Sequence, residues 1–157
     1  MNARSARARA LVASLAAAAL LARQAWSQER GRLGLGVIAG DPTGATGKLW
    51  LGETRALDFG VGFSGDAAFY GDFVAHDWTL LPQPPKGRLA ATLSAGPRLE
   101  THRDLAVGIR TLAGLDWLLE SRPIELFFEV GPVFVLKPDR GLDVDVGLGV
   151  RIGLGGK

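Results

Sequence analysis

Between Leu142 and Leu154, large aliphatic residues occupy every second position: Leu142, Val144, Val146, Leu148, Val150, Ile152 and Leu154. Asp143, Asp145, Gly147, Gly149, Arg151 and Gly153 alternate with them. Successive strand side chains point to opposite faces, so the pattern predicts a long β-strand with one apolar face and one polar or empty face. About 9–11 tilted residues carry a β-strand across a bilayer. The period therefore suggests the wall of a membrane barrel, with lipid on one side and a lumen on the other.

The same period predicts seven earlier strands. These are Arg32 to Ala39, about Thr46 to Leu51, Ala56 to Phe63, about Ala68 to His76, Leu89 to Arg98, Leu105 to Trp117, and Ile124 to Leu136. Gly40-Asp41-Pro42-Thr43-Gly44, Ser64-Gly65-Asp66, Glu100 to Asp104 and Pro138-Asp139-Arg140-Gly141 read as turns. The longest connection, Asp77 to Arg88, is stiffened by Pro82, Pro84 and Pro85. The expected fold is all-β: an eight-stranded antiparallel up-and-down transmembrane β-barrel. Closure removes the sheet edges, and eight strands leave a lumen that side chains fill.

The first 27 residues stand apart from this pattern. Arg4, Arg7 and Arg9 precede an alanine- and leucine-rich run from Ala10 to Ala22, and Ala25-Trp26-Ser27 offers small residues at a cleavage site. This predicts a signal peptide over 1–27 and a barrel domain over 28–157. The charge changes accordingly. The chain holds 18 basic and 16 acidic residues; taking away the four arginines of the leader leaves 14 against 16, a net −2. The basic balance thus belongs to the leader and gives no basic stripe for nucleic acid. With no cysteine, neither disulfides nor thiolate metal sites are available. No apolar run after the leader reaches the ~20 residues of a spanning helix.

Charges recur on the expected inward face: Asp58, Asp72, Arg98, Arg110, Glu125, Glu129, Asp145 and Arg151. Buried there, they must be paired or hydrated. A last hairpin turning about Asp139 would set Arg151 opposite Phe127, diagonal to Glu125 and Glu129. A turn near Leu119–Glu120 would set Arg110 beside Glu129. The expectation is a structural ion-pair network, Arg110–Glu129–Arg151–Glu125, with room for the arginines left by Gly34, Gly36, Gly108, Gly147 and Gly149. Trp50, Trp78 and Trp117 fall near strand ends, where interfacial aromatics belong. His76 is expected as an interface residue, and His102 lies in a loop.

Other chemistry is poorly supported. Gly40 to Lys48 ends in Gly-Ala-Thr-Gly-Lys, like a phosphate-binding loop, but Pro42 replaces its first glycine and Leu49 its magnesium-binding hydroxyl. Gly34-Leu35-Gly36 opens no helix. No serine completes a nucleophile–base pair. No catalytic, cofactor-binding or metal-binding residue is assigned, no cofactor is expected, and the protein is read as not an enzyme.

On these features the chain resembles small bacterial outer-membrane barrels of the OmpA/OmpX type. Gly-Asp-Pro-Thr-Gly (40–44), Gly47-Lys48-Leu49-Trp50-Leu51, Asp58-Phe59, Asp72 to His76, and Ile124 to Val130 followed by Pro132 resemble a family of short, largely uncharacterised outer-membrane barrels. The resemblance implies a transmembrane barrel in the bacterial outer membrane and carries over no ligand-binding residues. Barrels of this kind usually end in an aromatic residue that aids assembly; this chain ends Leu154-Gly155-Gly156-Lys157. Expected partners are outer-membrane lipid and the barrel assembly machinery, with no nucleic acid and a monomeric state. The expected role is a porin-like, side-chain-filled barrel for envelope integrity, with partner contact through its loops. A soluble exported barrel for a small apolar ligand and an outer-membrane lipid-modifying enzyme are the alternatives.

Overall fold

The computed structural model describes residues 32–63, 66–101, 104–120 and 122–154. The leader 1–27, His102 and Gly155 to Lys157 lie outside these. Eight strands follow one another: β1 (Leu33–Asp41), β2 (Gly44–Trp50), β3 (Arg55–Phe63), β4 (Ala67–Asp77), β5 (Arg88–Thr101), β6 (Leu105–Leu118), β7 (Ile124–Lys137) and β8 (Gly141–Leu154). Each pairs antiparallel with the next, and β8 pairs with β1, so the sheet closes on itself in sequence order.

Alternation sets the two faces. Even-numbered positions point inward on β1 to β6 and odd-numbered positions on β7 and β8, so the first five connections keep the parity and the chain changes it across the β6–β7 connection. Every strand-borne large apolar residue left exposed has the opposite parity, among them Val37, Phe59, Phe73, Leu93, Ile109, Phe128 and Leu148. The wall is uneven in height. β1, β2 and β3 have 9, 7 and 9 residues, whereas each of β5 to β8 has 14. The pairing of β8 with β1 stops at Asp41↔Val146, while β8 stays paired with β7 up to Val135↔Gly141. One side of the barrel therefore rises past the β1–β2 turn. We call this the upper end, and the end bearing the connections after β2, β4 and β6 the lower end.

Two prolines sit within strands, where they remove a ladder donor. Opposite Pro97 the β4–β5 pairing skips from Tyr70↔Arg98 to Phe73↔Ala95; opposite Pro132 the β6–β7 pairing skips from Arg110↔Val133 to Ala113↔Val130.

The registers of the last two hairpins correct the expected ones. Arg151 lies directly opposite Glu125, and Phe127 opposite Gly149, because the final turn centres on Pro138 rather than Asp139. Glu129 lies opposite Gly114 and Arg110 opposite Val133. Here the connection runs longer than the expected turn: Leu119 N donates to Ile124 O at 3.0 Å, and Ile124 N to Arg122 O at 2.7 Å.

Candidate functional site

The strand alternation that turns leucines and phenylalanines outward turns a set of long charged side chains inward, and these fill the lumen in two groups. In the lower group, Arg151 of β8 reaches across the barrel. Its Nη1 donates to Glu125 Oε1 at 2.6 Å and its Nη2 to Asp58 Oδ2 at 3.0 Å. Its Nε and Nη2 also donate to Thr46 Oγ1, at 3.2 and 3.0 Å. Lys48 of β2 contacts Asp116, lies 2.9 Å from Glu125 Oε1 and 3.8 Å from Asp58 Oδ2. His76 joins it, with Nε2 at 2.8 Å from Asp116 Oδ2 and 3.2 Å from Lys48 Nζ. All of these side chains are buried. Two cations and three carboxylates held this closely offset a desolvation cost that none could bear alone.

In the upper group, Arg110 of β6 bonds Asp72, with Nε at 2.8 Å from Oδ2, and donates from Nη1 to Asp145 Oδ2 at 3.1 Å. Asp145 also bonds Arg98, so it bridges the two arginines. Arg98 Nη2 faces Asp41 Oδ1 at 3.1 Å and Glu100 Oε2 at 3.3 Å. Both deep arginines also lie against rings: Arg110 is 3.8 Å from the Tyr70 centroid and Arg151 3.8 Å from that of Phe127. Such stacking suits a planar, weakly hydrated guanidinium.

Of the four residues expected to form the network, the structure places Arg151 on Glu125 and Arg110 within 3.6 Å of Glu129 Oε1. The link between the two pairs differs from the expected Glu129–Arg151 contact. Tyr70 Oη donates to Thr46 Oγ1 at 3.0 Å, which in turn accepts from Arg151, so a phenol and a hydroxyl join the groups. The space above the inward glycines also has other tenants. A Cβ on Gly147 would meet Ile38 and Glu129, and one on Gly149 would meet the Phe127 ring.

The tryptophans need correction. Trp50 is only 1% exposed and packs inside the lower end with Ala56, Val74 and Trp78. It shares the inward parity of Lys48; the outward positions of β2 are Ala45, Gly47 and Leu49. Trp78 lies past the end of β4 and folds under the barrel. Its Nε1 donates to Glu53 O at 2.9 Å, its ring stacks on His76 with centroids 5.9 Å apart, and the Arg88 guanidinium lies over the ring, 4.4 Å from its centroid. Only Trp117 has the outward, half-exposed placement expected of an interfacial aromatic, with Nε1 donating to Lys86 O at 3.3 Å. His76 is likewise inside, not at the interface. Trp50, His76 and Trp78 form an aromatic floor at the lower end.

Sequence reasoning missed Lys48 and Asp116 as lumen charges. For Asp116 the available signal was parity, since it is in step with Arg110 on β6; β2 has no continuous apolar face, so Lys48 carried no such signal. Among the described residues, no group of three or more His, Cys, Asp or Glu side chains is arranged to hold a metal ion. The lumen charges pair with each other.

No family model matches the chain, and no curated protein does. Among solved structures, the N-terminal β-barrel domain of Pseudomonas aeruginosa OprF is similar, with a TM-score of 0.58 over 83% of this chain and 100% of that one, at 15% sequence identity. At that identity the likeness bears on the fold alone, and agrees with the closed eight-stranded antiparallel barrel described above.

Proposed function

We propose that this chain is a bacterial outer-membrane barrel with a structural role in the envelope, its lumen closed by ion-paired side chains. The observation that carries this reading is the inversion of the two faces. Leu, Val, Ile and Phe stand exposed on the outside of every strand but β2, while the inside holds Lys48, Arg98, Arg110 and Arg151 with their carboxylates. A water-surrounded barrel for an apolar ligand needs the opposite arrangement. An apolar exterior of this extent matches hydrocarbon, where closure of the sheet satisfies every ladder.

In this reading the barrel is a monomer inserted by the assembly machinery, and the export leader 1–27 delivers it. The lower end, with the long connection after β4, faces the periplasm. That connection is held in place: Gln83 Nε2 donates to Trp78 O and Leu89 O, both at 2.8 Å, and Gln83 Oε1 accepts from Leu89 N at 3.0 Å. The floor of Trp50, His76 and Trp78 closes this end, which supports a barrier rather than a conduit.

Fractionation of expressing cells tests the proposal, followed by electrophoresis of boiled and unboiled samples. The expected result is outer-membrane recovery with a mobility shift on boiling. Recovery in the soluble periplasmic fraction without a shift overturns it.

A further inference from the structure

The outer wall of the barrel differs in height from side to side, and the unevenness lies at its upper edge. On β8 the outward positions stay apolar from Leu154 up to Leu142, with Val144 and Leu142 54% and 70% exposed. On β1 the outward run Leu33, Leu35, Val37 and Ala39 ends in Asp41, which pairs across the seam with Val146. On β2 the run is only Ala45, Gly47 and Leu49. A residue advances about 3.3 Å along a strand tilted by about 35–45°, or roughly 2.5 Å along the barrel axis. The 14 residues of β8 then rise about 35 Å and the 7 of β2 about 18 Å, against an apolar band about 25 Å tall.

A wall shorter than the hydrocarbon layer is matched by tilt, by a protein neighbour or by thinning of the bilayer. Tilt does not serve, because it moves the lower edge of β2 together with its upper edge and leaves the height between them unchanged. A second copy finds little to bury: among the described residues β2 shows no exposed large apolar side chain, and Gly47 is overlain by the Phe59 ring and Leu35. Asp41 favours thinning. Its side chain is 52% exposed, with Oδ1 facing Arg98 Nη2 at 3.1 Å. A half-exposed carboxylate is costly in hydrocarbon, so a polar layer must reach it. The turn that carries it is a fixed ledge: Gly40 N donates to Thr43 Oγ1 at 3.0 Å, and Thr43 Oγ1 donates to Gly40 O at 2.7 Å. Resting on the outer-membrane reading, we propose that the β1–β2 wall draws the polar headgroups of the upper leaflet down to Asp41, so that the bilayer is pinched on this side of the barrel and at full thickness beside β6 to β8.

The chain has no cysteine, so single nitroxide labels can be placed on the full chain in dioleoylphosphatidylcholine vesicles. Ala45→Cys and Val130→Cys face outward, five and six residues above the lower ends of β2 and β7. Leu49→Cys and Leu126→Cys make a second pair near the common lower edge. Power-saturation EPR compares the access of oxygen, which concentrates in hydrocarbon, with that of a water-soluble nickel chelate. The Ala45→Cys label should meet the chelate several-fold more than the Val130→Cys label, which should favour oxygen, while the lower pair should match each other. Equal depths at Ala45→Cys and Val130→Cys mean a flat bilayer. Shielding of Ala45→Cys from both oxygen and chelate means a protein neighbour. A difference of the same sense in the lower pair means a displaced barrel. Each of these overturns the pinch while leaving the barrel in the membrane. Chelate access without oxygen preference at all four sites means that no lipid surrounds the wall, which overturns the outer-membrane reading itself.

Discussion

The two ends of the lumen use the same residue types but are sealed to different degrees. In the lower group the ion-paired side chains of Lys48, Asp58, Asp116, Glu125 and Arg151 are at most 6% exposed. In the upper group Arg98 is 6% exposed, yet its partners Asp41 and Glu100 are 52% and 38% exposed. The lower end also has a floor of Trp50, His76 and Trp78; the upper end has a raised half-wall with a small cavity against it, lined in part by Arg98, Glu100 and Asp143. The difference comes from strand length. All strands reach a common lower edge, but only β5 to β8 run on at the top. The lower charges are thus locked in a buried interior, where pairing is obligatory, as are Arg110, Asp72 and Asp145, whereas Asp41 and Glu100 on Arg98 share their field with solvent.

This contrast can be broken experimentally, beginning with its strongest element. Arg151→Met leaves Lys48 as the one cation for Glu125, Asp58 and Asp116, and should destabilise the barrel by about 3–5 kcal/mol. Urea unfolding in micelles, followed by tryptophan fluorescence, measures it. Arg98→Gln should cost less, about 1.5–3 kcal/mol, because Asp145 keeps Arg110 while Asp41 and Glu100 turn to water. Equal losses at the two arginines would mean that the ends are sealed alike. Gly149→Ala should cost about 1–3 kcal/mol by overpacking, since the added methyl meets both the Phe127 ring and the Val37 carbonyl. Gly71→Ala, whose methyl meets nothing within 4 Å, should stay within about 0.5 kcal/mol on the same assay. A modest effect is expected at the half-exposed tryptophan. Trp117→Phe forfeits one hydrogen bond to Lys86 O, about 0.5–1.5 kcal/mol, with no change in the boiled-to-unboiled mobility shift.

Much of the barrel was legible from alternation alone. The eight strands lie where the period-2 pattern put them, with ends shifted by a few residues, and the charges read as inward on β3 to β8 do face the lumen, where Asp116 joins them. The apolar face of β8 is so regular that its parity admits one reading. β2 is the counterexample: Gly44-Ala-Thr-Gly-Lys-Leu-Trp50 offers no continuous apolar face, so nothing local says that Trp50 and Lys48 look inward together. Only the pairing of Leu49 with Leu33 and Leu57 decides it.

The candidate site was half legible. That Arg110, Arg151, Glu125 and Glu129 belong to one lumen follows from parity. Which of them touch does not, because contact depends on register and on reach across the barrel. A shift of the last turn from Asp139 to Pro138 moves Arg151 from Phe127 to Glu125. The partners Asp58, Asp116 and Thr46 come from strands that share no hairpin with β8 and face it only once the sheet has closed.

The amino-acid sequence by itself determined the strand count, the direction of each apolar face on the long strands, and a charged interior. These follow from local geometry, since a strand turns alternate side chains to opposite sides wherever it sits. Tertiary structure alone decided which charges pair, that Tyr70 and Thr46 join the two groups, that Trp50 and His76 are floor rather than rim, and which end of the lumen is sealed. Those facts depend on register, closure and unequal strand height, which are properties of the assembled sheet and of no single segment in it.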